Sequence, residues 1–249
     1  MSKNSKPIVI VAGDPKSIFL EIFFKSLKRK KFRNPIILIV NKKLLFQQMK
    51  DLSYNFQVNK LNENYINFDN LNNNKINFID IPFNKERVAN YINQSFEIAL
   101  FLIKKNYKIN LINGPINKKK ILKQKFLGIT EYLDFKTKSN GKAVMLIYNK
   151  RLSVSPLTTH LPLKKVHKHI NKKKIINHVK VITKFYRRRF KINPKIAITG
   201  LNPHCESNFN KSEEKEIIIP SIKYLSKKRF RVTGPYPADT IFLKEKIKK

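Results

Sequence analysis

The sequence predicts an α/β fold built on a largely parallel sheet. Short apolar runs recur along the chain, segments with helical spacing separate them, and polar loops follow the runs. Apolar runs bounded by turn residues are typical of strands that are buried on both faces. Strands that alternate with helices favour a parallel sheet, because each crossover helix returns the chain to the same end of the sheet.

The first half of the chain carries the clearer signals. Apolar runs predict strands at 7–12, 36–40, 76–81 and 109–112. Apolar residues at helical spacing predict helices over 18–27 and 85–104. The stretch 55–74 is rich in Asn and has no clear period, so we expect a loop there.

The second half continues the alternation. Further strands are predicted at 143–147, 152–157 and 195–199, and further helices over 163–189 and 212–225. The first of these helices is strongly basic and carries three histidines. We expect all three on its solvated face: His167, His169 and His178.

Composition limits the class of protein. Hydrophobic residues make up 41% of the chain, too many for a disordered protein, and no apolar run approaches the ~20 residues that span a bilayer. The single cysteine, Cys205, has no partner for a disulfide within the chain, which fits a cytoplasmic protein.

The formal net charge of +37 would attract nucleic acids or anionic lipids. The lysines are spread over the whole chain and are not gathered in one segment. We therefore expect no specific nucleic-acid site and no membrane partner. A basic nucleic-acid-binding protein is the alternative from a different class.

Polar loops follow predicted strands at 13–15, 114–118, 158–160 and 200–204. Ligands of open α/β sheets bind at the carboxyl ends of strands, so we expect these loops to face one crevice. Asn117 and Thr159 are candidate helix N-caps, which would leave backbone N–H groups available for an anion such as phosphate.

His160 and His204 lie at the ends of two of these loops. Two imidazoles that converge on one crevice can bind a divalent metal, whereas two unrelated loop histidines are the alternative. A catalytic metal site normally takes three protein ligands, and the third is not evident in the sequence.

Five short segments follow one another along the chain with characteristic residues. They are Gly114-Pro-Ile-Asn-Lys118, Gly128-Ile-Thr-Glu-Tyr132, Thr158-Thr-His-Leu-Pro-Leu163, Gly200-Leu-Asn-Pro-His204 and Gly234-Pro-Tyr-Pro-Ala-Asp-Thr-Ile-Phe242. In order and spacing these segments resemble the 4-hydroxythreonine-4-phosphate dehydrogenase family of vitamin B6 biosynthesis, and the Glu213-Glu214 pair continues the match.

The resemblance implies a two-domain fold like that of isocitrate and isopropylmalate dehydrogenases, with a first domain over 1–125 and a second over 126–249. It implies a homodimer with a shared active site. The implied reaction is the NAD- or NADP-dependent oxidation of 4-phosphohydroxy-L-threonine to 2-amino-3-oxo-4-phosphooxybutanoate. This product would decarboxylate to 3-amino-2-oxopropyl phosphate on the route to pyridoxal 5'-phosphate.

The resemblance also implies roles for single residues. His160 and His204 match two of the family's three metal-ligand histidines, and the metal (zinc, magnesium or cobalt) would act as a Lewis acid. Thr130 matches a substrate-binding threonine. Lys118 and Asp239 match positions in the crevice and are candidates for proton transfer or for orienting the substrate.

The sequence departs from the family at three places. Lys16-Ser17-Ile18-Phe19-Leu20 replaces a glycine-rich turn, and Ile129 stands where the family has a substrate-binding histidine. The chain also stops before the segment that would carry the third metal histidine and the strands that complete the first domain. We therefore expect a truncated member of the family with weak or no activity. The alternative is a non-catalytic remnant that keeps the fold or a dimer surface.

Overall fold

A five-stranded parallel sheet forms the centre of the first of two units in this protein. The structure is a computed structural model. It describes residues 6–71, 73–106, 108–117, 126, 128–139, 142–205 and 211–243. The units are Met1–Phe126 and Leu127–Lys249. The sheet has the order β3-β4-β2-β1-β5, and every neighbouring pair is parallel. Its strands are β1 (Ile8–Val11), β2 (Ile36–Val40), β3 (Val58–Leu61), β4 (Ile76–Asp80) and β5 (Asn110–Asn113). The predicted α/β class with a parallel sheet is confirmed.

Three helices connect these strands: α1 (Phe19–Arg29), α2 (Lys42–Asp51) and α3 (Val88–Lys105). Phe24 of α1 is fully buried in the core cluster that also contains Leu38 and Val40 of β2. Its ring lies 5.4 Å from that of Tyr54 and 5.7 Å from that of Phe56. Full burial of a phenylalanine side chain stabilises a fold by roughly 1.5–3 kcal/mol. The helical pattern of α1 therefore serves to cover the sheet.

The prediction of a loop over 55–74 was wrong at β3. This strand lies at the edge of the sheet and pairs with β4, and its central residues Asn59 and Lys60 are exposed. Asn59 Nδ2 donates to Asn77 Oδ1 at 3.0 Å, and Lys60 forms an ion pair with Asp80 at 3.0 Å. An edge strand buries only part of its surface, so its sequence lacks the apolar run by which the inner strands were predicted.

The second unit contains a two-stranded parallel sheet of β6 (Ile196–Thr199) and β7 (Val232–Tyr236). A π-helical turn, Glu214–Ile218, leads into α7 (Ile219–Lys227). The core between helices and strands contains Ile175, Val179, Leu225 and Val232. The other helices of the unit are α4 (Ile129–Lys136), α5 (Leu163–Val166) and α6 (Lys172–Phe190).

Several predictions for the second unit need correction. The strands predicted at 143–147 and 152–157 form a single antiparallel bridge, between Ile147 and Val154. Both side chains are exposed, so these apolar segments do not have the burial that their pattern predicted.

The helix predicted over 163–189 is divided into α5 and α6. Its two parts are separated at Ile170, which is extended, and α6 begins after Asn171, whose side chain accepts the N–H of Lys174. Strand β7 was not predicted, because Gly and Pro are rare inside strands. None of the helices in the described part of the chain is both long enough and apolar enough to cross a membrane.

Candidate functional site

In the first unit, two of the predicted polar loops meet beyond the carboxyl ends of β1 and β5. The chain changes direction across the sheet between these strands, which makes their ends the topological switch point where ligands of such sheets bind. The N–H of Asp14 donates to the carbonyl of Pro115 at 2.8 Å. Gly13 has a φ of 82°, and a Cβ on it would overlap the Pro115 carbonyl oxygen, so glycine is required there.

The turn after Gly13 is closed by Asp14 itself. Its Oδ1 accepts the N–H of Lys16 at 3.0 Å, and its carbonyl accepts the N–H of Ser17 at 2.9 Å. These bonds close the turn although residues 16–20 contain no glycine. On the β5 side, Lys118 and any helix that Asn117 would cap lie outside the described residues.

In the second unit, a side-chain hydrogen bond joins two of the motif segments. Helix α4 begins after Gly128, and Glu131 is its third residue. The Thr159 hydroxyl donates to Glu131 Oε1 at 3.0 Å. Thr159 therefore contacts α4 and does not cap the next helix, since α5 begins at Leu163 after Pro162. The prediction of Thr159 as an N-cap was wrong.

The second oxygen of Glu131 is buried and has no hydrogen-bond partner among the described residues. A Cβ on the buried Gly128 would stand 3.0 Å from this Oε2 and 3.5 Å from Nε2 of His160. The carboxylate oxygen and the imidazole nitrogen thus border the same small space. A buried acceptor without a donor costs about 1–3 kcal/mol, which favours a donor or a cation at this position.

His204 lies on a turn that a second carboxylate holds. Oε1 of Glu214 accepts the N–H groups of Leu201 and Asn202, each at 2.8 Å, and its Oε2 accepts Asn202 Nδ2 at 2.8 Å. Burial by itself raises the pKa of Glu214, but the hydrogen bonds from Asn202 and Leu201 outweigh it and hold the pKa below its usual range. Glu214 is therefore a buried ion that stabilises the turn.

The two histidines share an uncommon backbone conformation. His160 has a φ of 55° and His204 a φ of 57°, and both side chains are exposed. Left-handed residues other than glycine cluster at functional sites, where the surroundings maintain the strain. Both imidazoles are accessible to a ligand.

The described residues do not by themselves make up a metal centre. Among them, no group of three or more His, Cys, Asp or Glu side chains lies close enough together to hold a metal ion. The unpartnered Oε2 of Glu131 beside His160 is a local feature that suits a cation, but it provides only part of a ligand set.

The remaining predicted residues lie in the second unit. Ile129 and Thr130 are the first two residues of α4 and are half-buried. Asp239 is exposed in the turn that follows β7. Sequence reasoning assigned no role to Glu131 or Glu214, although both stand in matched segments. Acidic residues number 16 against 53 basic ones, so a carboxylate beside a motif loop was a usable signal.

The prediction of a solvated face for His178 was wrong, whereas His167 and His169 are exposed as predicted. His178 is half-buried, and its Nε2 lies 2.7 Å from the Ser155 hydroxyl. That hydroxyl donates its one proton to the Met145 carbonyl at 2.5 Å, so the imidazole must donate to it. Burial, followed by the charge of Lys174, lowers the pKa of His178.

Comparison with known proteins agrees with the motif segments. The model of a family described as pyridoxal phosphate biosynthetic protein PdxA matches residues 31–249. The 4-hydroxythreonine-4-phosphate dehydrogenase of Sulfurihydrogenibium sp. is 41% identical over 119 residues, which are 47% of this chain and 37% of that protein. That of Wigglesworthia glossinidia brevipalpis is 30% identical over 259 residues, which cover 100% of this chain and 77% of that protein.

A solved structure is similar over nearly the whole chain. The crystal structure of 4-hydroxythreonine-4-phosphate dehydrogenase from Klebsiella pneumoniae superposes with a TM-score of 0.81 and 25% sequence identity. The match covers 97% of this chain and 78% of that one. With the Sulfurihydrogenibium protein, by contrast, the match spans little more than a third of the relative's length. The family model and the Wigglesworthia protein, which matches this chain over its whole length, together show that the chain belongs to the PdxA family of pyridoxal phosphate biosynthetic proteins.

Proposed function

We propose that this chain carries out the oxidation of 4-phosphohydroxy-L-threonine to 2-amino-3-oxo-4-phosphooxybutanoate with NAD or NADP. The product then decarboxylates to 3-amino-2-oxopropyl phosphate, on the route to pyridoxal 5'-phosphate. Family membership supports the reaction. The observation that carries the proposal is the Glu131 carboxylate, which binds Thr159 and borders His160 in the second unit.

The proposed roles follow the motif positions. His160 and His204 are this chain's contribution to a site for a divalent metal, and the other ligand would come from outside the described residues. Zinc, magnesium or cobalt would supply a Lewis acid there. Thr130, near the N-terminus of α4, would bind the substrate, whose phosphate a helix N-terminus favours. Lys118 and Asp239 are proposed to orient the substrate or to move a proton.

The proposed assembly is also that of the family. The two units would be the two domains of an isocitrate dehydrogenase-like fold, with the boundary near residues 125 and 126. Two copies would form a homodimer with a shared active site in the cytoplasm. The single cysteine supports this compartment, because the chain needs no internal disulfide.

A non-catalytic member of the family is the second candidate. Ile129 favours it, because an isoleucine side chain offers no hydrogen bond at a position where a histidine would bind the substrate. Under this proposal the chain would keep the fold and bind ligand weakly without turnover.

One experiment separates the two candidates. The purified chain is supplied with 4-phosphohydroxy-L-threonine, NAD or NADP, and Mg²⁺, Co²⁺ or Zn²⁺, and reduced cofactor is measured by absorbance. Metal-dependent reduction that His160→Asn abolishes would support the dehydrogenase. Substrate binding by calorimetry without cofactor reduction would support the non-catalytic member, and neither signal would overturn both.

A further inference from the structure

We propose, taking His204 to be a site histidine as in the proposed function, that Glu214 is a positioning residue. Its buried carboxylate fixes the turn that presents the His204 imidazole to a ligand. Glu214 itself would touch neither substrate nor cofactor.

The hydrogen bonds of Glu214 converge on the residues just before His204. The Glu214 residue is 1% exposed, and its Oε1 accepts two backbone N–H groups, those of Leu201 and Asn202. Its Oε2 accepts the Asn202 side-chain amide. Hydrogen bonds to an ionised acceptor are roughly twice as strong as neutral ones, and little water competes for a buried carboxylate.

The turn itself is strained and closely packed. His204 and Cys205 have φ values of 57° and 59°, two successive left-handed residues without glycine. Such a conformation persists only where the surroundings determine it. A Cβ on Gly200 would stand 2.6 Å from Cys205 Sγ and 3.1 Å from Glu214 Oε1, so the turn is folded directly against the carboxylate.

The adjacent residue provides a matched control. Glu213 is half-buried, and its Oε2 accepts a hydrogen bond from Asn202 Nδ2 at 3.1 Å. The backbone N–H groups of Leu201 and Asn202 donate to Glu214. Glu213→Gln removes the same charge next to Glu214 but leaves the bonds to the backbone of the turn intact. A general effect of lost charge would therefore be the same in both variants, whereas loss of the turn's support would occur in Glu214→Gln alone.

The test is nuclear magnetic resonance of the free full-length chain, with the His204 ring signal assigned by His204→Asn. Glu214→Gln keeps the size of the side chain but replaces one carboxylate oxygen with an NH₂ group. In one orientation this group faces the Asn202 side-chain amide, and in the other it faces the two backbone N–H groups, so hydrogen bonds are lost in both. We expect the His204 signal to shift and broaden while the signals of the other four histidines stay in place. Hydrogen exchange at Leu201 and Asn202 should accelerate by about tenfold or more. Glu213→Gln should change neither.

An unchanged His204 signal in folded Glu214→Gln would overturn the proposal, and so would an equal change in Glu213→Gln. If Glu214→Gln does not fold, Asn202→Ala decides. This variant removes one of the three donors and should shift the His204 signal in the same direction by a smaller amount, whereas no shift would overturn the proposal. All readouts use the free protein, so the result is independent of whether the chain proves to be a dehydrogenase.

Discussion

The Thr159 hydroxyl donates a 3.0 Å hydrogen bond to Glu131 Oε1, across 28 residues of the chain. It joins the segment that carries His160 to the N-terminal turn of α4, where Ile129 and Thr130 lie. The other carboxylate oxygen has no donor within the described part of the chain. Thr159 is therefore the one described side chain that fixes the orientation of Glu131.

Thr159→Val should destabilise the protein by about 1–2 kcal/mol, because it leaves the half-buried Glu131 carboxylate without this donor. The free energy of unfolding, measured by urea denaturation, tests this. Thr158→Val makes the same change one residue earlier, also at a half-buried position. It should stay within about 0.5 kcal/mol of the wild type, because the hydrogen bond to Glu131 comes from Thr159. Equal losses in the two variants would contradict the assigned role of Thr159.

Glu214 should make stability depend on pH in the acid range. Burial raises its pKa, but the hydrogen bonds from the turn lower it further, so the folded pKa lies below the ordinary value of 4.5. The stabilisation is fully present above that value and is lost as pH falls through the folded pKa, because the unfolded chain binds the proton first.

As the pH is lowered from about 6 to about 3, the free energy of unfolding should therefore fall less steeply for Glu214→Gln than for the wild type. Asn202→Ala, which removes one donor, should give an intermediate slope. A wild-type slope in Glu214→Gln would show that this carboxyl is not held in its ionised form by the fold.

His178 should also make stability depend on pH, in a range above that of Glu214. Burial, and then the charge of Lys174, places its folded pKa below the ordinary value of 6.5. The unfolded chain takes up a proton below pH 6.5 while the folded chain does not, so stability is complete above 6.5 and decreases as pH falls through the folded pKa.

His178→Gln keeps a donor for Ser155 and should reduce this decrease, as measured by denaturation at about pH 5 and pH 7. The ring signal of His178 should also titrate below pH 6.5 in the folded protein. A midpoint at or above 6.5 would contradict the burial argument.

Ile129→His should strengthen substrate binding, because it supplies a donor for the substrate at the N-terminus of α4. A hydrogen bond to a charged group contributes roughly 1.5–3 kcal/mol, so the dissociation constant should fall about tenfold or more. Calorimetry with 4-phosphohydroxy-L-threonine measures it, and Ile129→Gln is a control of similar size with a weaker donor. Turnover should remain well below about 1 per second, which is the low end for enzymes.

The positive charge should give non-specific and salt-sensitive binding to nucleic acids. Exposed lysines release counterions from each phosphate that they neutralise, so affinity should fall steeply with salt for every sequence alike. Binding of several unrelated DNA and RNA sequences over a salt series tests this. If one sequence stays bound at physiological salt while the others dissociate, the charge marks a specific site.

The sequence by itself determined the inner sheet and the family. Strands β1, β2 and β4 are buried on both faces, so each is a nearly continuous apolar run. Such a run can be recognised from the local sequence alone. The motif segments could be matched for a related reason, since each is a short local stretch whose residues need no knowledge of the fold to compare.

Only the tertiary structure determined which residues from distant parts of the chain contact one another. Edge strand β3 and the half-buried His178 depend on partners far away in the chain, and local pattern does not report such partners. The same holds for the carboxylates of the site. Glu131 and Glu214 look like ordinary polar residues of helical segments, and only folding brings one against Thr159 and the other against Leu201 and Asn202. A hydrogen bond acts over about 3 Å in space whatever the separation in sequence, so the groups that hold the two histidine loops become visible only in three dimensions.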